Sequence, residues 1–333
     1  MFSKYPVPSP VSVRPQRILL IRFFGTSGVI ETIPVIAALR QRFPKADIAL
    51  LTEKEHSALL NGHPALDRLI FVERGWHRTL RGIKRLRQRL QMFKPDAALD
   101  FQGRFRSALA AYLSGAKTRV GFSGKNISFG NKVFNNILFS SKETDGIERN
   151  LTLLEIFGIT GTSIAFDLPE CETDKRNTAA MLNRHGLNGN FAVIHAGYSK
   201  KPSFWTEDRM ADISKELLEQ WNLPSLVVCA DEKEMDKAEM LVSKADGAAY
   251  LVPKITLPEF ALLARRAVIT AGTCPELLAA ARAAGAQTVN FDNYDDVQSA
   301  CDFCDEVLAA MLMQEEGDTV SFEQEITKFK AAA

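Results

Sequence analysis

The feature that most constrains this chain is a pattern that runs twice. Short apolar runs of about five residues alternate with amphipathic stretches of helical period, first from Arg17 to Phe122 and again from Phe191 to Phe291. A run such as Arg17-Ile18-Leu19-Leu20-Ile21-Arg22-Phe23 has no polar alternation. It reads as a strand buried on both faces, and such strands belong to parallel sheets covered by helices. In the first half the strands are expected at Arg17–Phe23, Asp47–Leu51, Arg68–Val72, Asp96–Phe101 and Thr118–Phe122. Helices are expected over Val29–Phe43, Glu55–Leu60, Trp76–Phe93 and Arg106–Leu113. Pro34 kinks the first helix or sits in its first turns.

Residues Ser123–Thr144, with Gly, Asn and Ser and no clean period, read as loop. Glu148–Phe157 reads as an amphipathic helix, and Gly158–Lys175 as an interdomain connection. The second half predicts strands at Phe191–Ala196, Ser225–Ala230, Ala248–Val252, Ala267–Thr270 and Gln287–Phe291. Its helices fall at Thr206–Gln220, Lys233–Ala245, Leu257–Ala264, Pro275–Ala284, Cys304–Gln314 and Phe322–Phe329. The fold class is therefore α/β, with two Rossmann-like, doubly wound domains facing a cleft. The expected boundaries are an extended arm over 1–16, a first domain over 17–165, a second over 176–315, and a C-terminal helix in 316–333 packing back toward the first domain.

Composition removes several alternatives. The chain has 333 residues and 46% hydrophobic content, enough for real cores and against whole-chain disorder. Its 41 Lys and Arg against 40 Asp and Glu argue against a dedicated nucleic-acid binder. No apolar run approaches the roughly 18 residues that suggest a membrane span. The Pro-rich start lacks the apolar region of a secretory signal. Five cysteines exclude a disulfide scaffold and fit a reducing cytoplasm. Cys301 and Cys304 form one CxxC without a second ligand pair, so a plain helical pair is favoured over a metal or redox site.

The chemistry-bearing residues cluster after strands. Gly25-Thr26-Ser27-Gly28 follows the first strand, where small residues let a ligand approach the backbone; a bare tight turn is the alternative. Glu53 follows the second strand, but a dinucleotide-binding role lacks its glycine fingerprint. Between Arg74 and Arg106 there are ten Lys or Arg residues. Arg81 and Lys84, on the helix among them, form either a solvated face or a patch for phosphorylated acceptors or an anionic membrane. Asp100 ends the fourth strand, where it either acts on a hydroxyl or caps the next helix; Gln102, Arg104 and Arg106 follow it. In the second half, Ser199, Lys200, Lys201 and Trp205 follow the first strand in a pattern suited to a diphosphate. Gly272, Thr273 and Glu276 surround the start of the helix at Pro275.

In this order the pieces resemble glycosyltransferase family nine, the ADP-heptose:lipopolysaccharide heptosyltransferases, from about Arg17 to Asp292. Ile18–Pro34 resembles the family's opening strand, glycine loop and T-[LI]-P helix. Asp100-Phe101-Gln102-Gly103 resembles its D-x-Q-G, Arg119–Phe122 its R-[IV]-G-F, and Glu148–Leu151 its E-R-N-L, with Asp145 in place of the preceding His. Lys200–Thr206 resembles the K-x-W-P segment, and Pro253–Leu257 the K-x-S-L. The resemblance implies a GT-B fold with an acceptor domain followed by a nucleotide-sugar domain. It implies inverting transfer of a heptose or related sugar from ADP-heptose to a lipopolysaccharide core or other envelope glycan, without metal or another cofactor. Glu234 matches the family's acidic residue on the nucleotide. The implied setting is cytoplasmic, with peripheral contact at the inner face of the membrane through the basic helix.

Three departures stand out. Gly28 replaces the family's catalytic Asp, and D-T-G-x-x-H has become Ala271-Gly272-Thr273-Cys274-Pro275-Glu276. Ser203 stands at the K-x-W lysine. Glu31, three residues beyond Gly28, is the expected substitute base, with Asp100 second. The alternative is a heptosyltransferase-like binding or assembly protein without transfer activity.

Overall fold

The computed structural model describes residues 14–124, 127–161, 163–187, 189–197, 204–229, 232–252 and 254–315. The chain divides into two compact units after Pro169. The first unit opens with β1 (Arg17–Ile21), α1 (Thr26–Ile30), α2 (Ile33–Arg42), β2 (Asp47–Thr52) and β3 (Arg68–Phe71). It continues through α3 (Leu80–Phe93), β4 (Ala97–Asp100), α4 (Phe105–Leu113), β5 (Thr118–Phe122), α5 (Phe129–Phe134), β6 (Ile137–Phe139) and α6 (Gly146–Leu151). Its strands form one parallel sheet in the order β3-β2-β1-β4-β5-β6. The order reverses between β1 and β4, so the loops after those two strands diverge and leave a crevice at their carboxyl ends. β1 is central, and Ile18, Leu19, Leu20 and Ile21 are fully buried. Each such side chain contributes about 1.5–3 kcal/mol relative to exposure.

The second unit contains α7 (Glu172–Arg184), β7 (Ala192–His195), α8 (Glu207–Trp221), β8 (Ser225–Val228), α9 (Met235–Lys244) and β9 (Ala249–Val252). It ends with α10 (Leu257–Arg266), β10 (Ile269–Gly272), α11 (Pro275–Ala283), β11 (Thr288–Asn290) and α12 (Val297–Glu315). The parallel order β11-β10-β7-β8-β9 again places a reversal beside the first strand, here between β7 and β10. Trp221, Phe291, Cys301, Cys304 and Leu308 belong to its core.

Several expectations require correction. The helix expected over Val29–Phe43 is two helices. Pro34 sits in the first turn of the second, and the Thr32 hydroxyl donates to the Val29 carbonyl at 2.6 Å at the end of the first. The expected helix Glu55–Leu60 is two 3-10 turns, Lys54–His56 and Ala58–Leu60. The basic helix starts at Leu80 rather than Trp76, because Thr79 caps it by accepting from the Gly82 N–H.

The expected loop Ser123–Thr144 hides α5 and β6. Their anchor is polar: Asn131 and Asn135 are buried against Gly121 of β5, where a Cβ would lie 2.5 Å from Asn135 Nδ2. The helix expected over Glu148–Phe157 is α6 followed by a 3-10 turn over Thr152–Phe157, and Asp145 caps α6. α7 already begins inside the expected connection, and α12 begins seven residues before Cys304. The arm over 1–13 and the expected C-terminal helix in 316–333 lie outside the described residues.

Candidate active site

In the first unit, the crevice beside β1 brings the glycine loop against the loop after β4. The Phe23 N–H donates to Gln102 Oε1 at 3.3 Å, and Arg22 Nη1 donates to the Phe101 carbonyl at 2.9 Å. Gly25 has a φ of 85°, a left-handed conformation that favours glycine. Gly28 matters for space: a Cβ there would lie 1.9 Å from Arg22 Nη2. The half-buried Arg22 therefore fills the volume into which any residue-28 side chain would project. Burial lowers its guanidinium pKa from the ordinary arginine value, opposed by the neighbouring Glu31 carboxylate.

Glu31 is not on a continuing helical face. It is the C-cap of α1, and its carboxylate sits 3.9 Å from Arg22 Nη2. Its backbone carbonyl accepts from Asn150 Nδ2 at 3.1 Å, so the E-R-N-L helix holds it in place. Asp100 is fully buried. Its Oδ1 accepts from the Gln102 and Gly103 N–H groups at 2.9 and 3.1 Å, and Asn135 Nδ2 approaches Oδ2 at 3.4 Å. Burial raises its pKa, opposed by these bonds and by Ser107. The geometry gives Asp100 the work of fixing the D-x-Q-G turn.

Thr26 Oγ1 lies 2.9 Å from His56 Nδ1, a contact absent from the sequence reading. Glu53, Glu55 and His56 each place one potential ligand atom within 4.8 Å of the others. Arg104 is exposed, while its backbone caps α4 through Ser107. Arg106 lies over the Phe24 ring at 5.0 Å. Arg81 and Lys84 are exposed on α3, whose buried side is Leu86, Leu90 and Phe93.

In the second unit, the crevice beside β7 holds a pair that sequence reasoning found only in part. His195 ends β7 and is 2% exposed; its Nε2 lies 3.1 Å from Glu234 Oε2. Among the described residues, His195 Nδ1 is buried without a hydrogen-bond partner. Two glycines crowd this pair. A Cβ on Gly197 would lie 2.2 Å from Glu234 Oε1, and one on Gly272 would lie 2.8 Å from His195 Cβ. Any larger residue at either position would displace the pair.

Thr273 is fully buried behind Gly272. Glu276 lies in the first turn of α11, with its Oε2 3.4 Å from Cys274 Sγ. Trp205 is 4% exposed and stacks on Phe291 at 5.0 Å between centroids. Its ring packs in the core of the second unit, where its Nε1 has no hydrogen-bond partner among the described residues. Ser199, Lys200 and Lys201 lie outside the described residues. Cys301 and Cys304 are buried free thiols, both pushed up to about 12 by burial, as suits a core pair.

His195 ends β7 and Arg22 directly follows β1, the first strand of each sheet, and that position was the available signal for both. Among the described residues no helix is long and apolar enough to cross a membrane.

Comparison with known proteins gives this geometry a context. The family model for glycosyltransferase family 9 (heptosyltransferase) matches residues 83–284. The chain is similar to the crystal structure of a glycosyltransferase family 9 protein from Veillonella parvula, with a TM-score of 0.73 and 16% identity over 96% of this chain and 98% of that one. It is similar to E. coli heptosyltransferase WaaC solved with ADP-2-deoxy-2-fluoro heptose, at a TM-score of 0.65 and 19% identity over 82% and 88% of the two chains. E. coli ADP-heptose LPS heptosyltransferase II gives a TM-score of 0.65 at 16% identity, over 90% and 99%. No curated protein sequence matches the chain significantly. The two Rossmann-like units are those of the GT-B fold.

Proposed function

The chain belongs to glycosyltransferase family 9, and from that premise we propose that it transfers a heptose or related sugar, with inversion, from ADP-heptose to a phosphorylated lipopolysaccharide core or other envelope glycan. One observation carries the donor half of the reading. The Glu234–His195 pair lies at the carboxyl end of β7, beside the strand-order reversal and crowded by Gly197 and Gly272. Open α/β sheets bind their ligands at that position. Glu234 would accept hydroxyls of the nucleotide, and His195 would hold its carboxylate in one orientation. Glu276, Gly272 and the side chains of Ser199, Lys200 and Lys201 would serve the diphosphate, as the sequence suggests.

On the acceptor side, Gly25, Thr26, Ser27 and Gln102 line the crevice beside β1. Arg104, Arg106, Arg81 and Lys84 supply positive charge for acceptor phosphates and for peripheral contact with an anionic membrane on its cytoplasmic side. Transfer requires a base at the attacking hydroxyl. Glu31 is the proposed base, with Arg22 as its electrostatic partner. Glu31→Gln is expected to lower turnover about 10²–10⁴-fold while leaving the donor Kd unchanged. Unaltered turnover would remove Glu31 from the mechanism.

A second reading draws on Gly28 and the guanidinium beside it. With no carboxylate at residue 28 and Arg22 in its place, the chain would bind nucleotide sugar without transferring it. Donor binding without turnover on any heptose-accepting glycan would favour that reading.

A further inference from the structure

One stretch of the first unit carries a charge asymmetry that the whole chain conceals. The net charge over 333 residues is +1, yet residues 101–142 hold seven Lys or Arg and no Asp or Glu. This stretch contains α4, β5, α5 and β6. Arg104, Lys117 and Lys132 are exposed on it, and among the described residues none of the three forms an ion pair.

The same stretch turns its apolar side chains outward. In α5, Asn131 is fully buried and donates from Nδ2 to the Phe122 carbonyl. Asn135, just past the helix, is also buried and donates from Nδ2 to Asn131 Oδ1 at 2.6 Å. Phe129 and Val133, four residues apart and so on one face, are 78% and 56% exposed. A surface helix ordinarily buries its apolar side chains and shows its amides to water; α5 does the reverse. On α4, Phe105 and Tyr112 are exposed and flank the Phe134 ring, with centroids at 5.6 and 5.5 Å. Arg119 lies over the Tyr112 ring at 5.8 Å, so cation and aromatic surface alternate across the face.

We propose that the face formed by α4 and α5 docks the protein on an anionic lipid bilayer. Phe129 and Val133 enter the boundary between headgroups and acyl chains, Phe105 and Tyr112 lie beside them, and Arg104, Lys117 and Lys132 meet lipid phosphates. Such binding draws on buried apolar area and on attraction to anionic headgroups together, and this face offers both. Charge selects the occupant: a symmetric contact with a second copy of the face would set cations against cations. The inference rests on the membrane contact of the proposed function and moves that contact from α3 to α4 and α5. It also gives the contact a use. Arg106 of α4 covers Phe24 beside the glycine loop, so docking by this face holds the crevice of the first unit near a lipid-borne acceptor.

The test is sedimentation of the full chain with vesicles of phosphatidylcholine, alone and mixed with phosphatidylglycerol, together with a fluorescent reporter. The chain's three tryptophans, Trp76, Trp205 and Trp221, are all buried, so Phe129→Trp adds one exposed indole. The mixed vesicles are expected to bind the protein, and added salt to release it. Phe129→Trp emission should shift to shorter wavelength on binding and be quenched by brominated lipid. Phe129→Ser with Val133→Ser should weaken binding at least about tenfold, and Lys132→Glu roughly tenfold. These side chains are exposed, so both variants should keep the parent's urea midpoint. Binding that survives the double substitution but is lost in Arg81→Glu with Lys84→Glu would overturn the proposed face and leave the membrane contact standing. Failure of the parent protein to bind any vesicle would overturn both.

Discussion

Arg22 stands where the family resemblance leads one to expect room for a carboxylate. Its guanidinium is half-buried and anchored to the Phe101 carbonyl and to Glu31, so a side chain at residue 28 requires that guanidinium to move. In the other unit, Gly272 is constrained by backbone: a Cβ would meet His195 N at 3.3 Å as well as its Cβ. Backbone does not swing aside as a side-chain end does. Gly272→Ala is therefore expected to destabilise the protein by about 1–3 kcal/mol in urea unfolding, and to weaken nucleotide binding through the displaced His195. Unchanged stability would show that the strand pair β7–β10 yields more easily than its geometry implies. Thiol chemistry gives an independent check on burial. Cys171 is exposed, and backbone N–H groups of Thr173 and Asp174 pull its pKa below 9.0. It should react with a disulfide reagent at once, whereas Cys274, Cys301 and Cys304, all pushed up to about 12, should react only on unfolding.

At the level of elements, α7 is tied to α10 by a surface cluster. Glu170 pairs with Arg265 of α10 and with Lys175 of α7, and hydrogen bonds from Arg265 and then Lys175 hold its carboxyl down to about 2. A lowered carboxyl pKa stabilises the fold above the ordinary value of 4.5, and that contribution is lost as pH falls toward about 2. The cluster is exposed, so the contribution should stay below about 1 kcal/mol. The urea midpoints of the parent protein and Glu170→Gln should differ slightly near neutral pH and converge as pH falls through that window. A constant gap would rule out the ion pairs as its source.

The elements also show what the sequence could and could not disclose. Buried parallel strands are unbroken apolar runs, so β1, β2, β4, β5, β7 and β8 were legible to within a residue or two at each end. β6 is only Ile137–Phe139, and the polar residues before it, Asn131 and Asn135, look like loop until their burial is known. Trp205 sits in a polar, turn-rich stretch, and nothing local says that its ring turns inward onto Phe291. Arg22, His56 and His195 become site residues through partners 9 to 79 positions away: Glu31 and Phe101, Thr26, and Glu234.

For the whole molecule, two units share one winding, each with its strand order reversing beside its first strand. The family match runs from α3 of the first to α11 of the second, so it spans both. The claim at the centre of the account is that the second unit still holds a nucleotide sugar although the family's Asp and His are Ala271 and Glu276. The most direct test is calorimetric titration of the folded protein with ADP, ADP-heptose, and UDP- and GDP-sugars, repeated with Glu234→Gln. The account predicts that ADP-heptose binds in the micromolar range, more tightly than the UDP- and GDP-sugars, and that Glu234→Gln weakens it at least about tenfold, in line with the loss of a charged hydrogen bond. Absence of binding to every nucleotide sugar by a folded sample, or binding indifferent to Glu234→Gln, would contradict it.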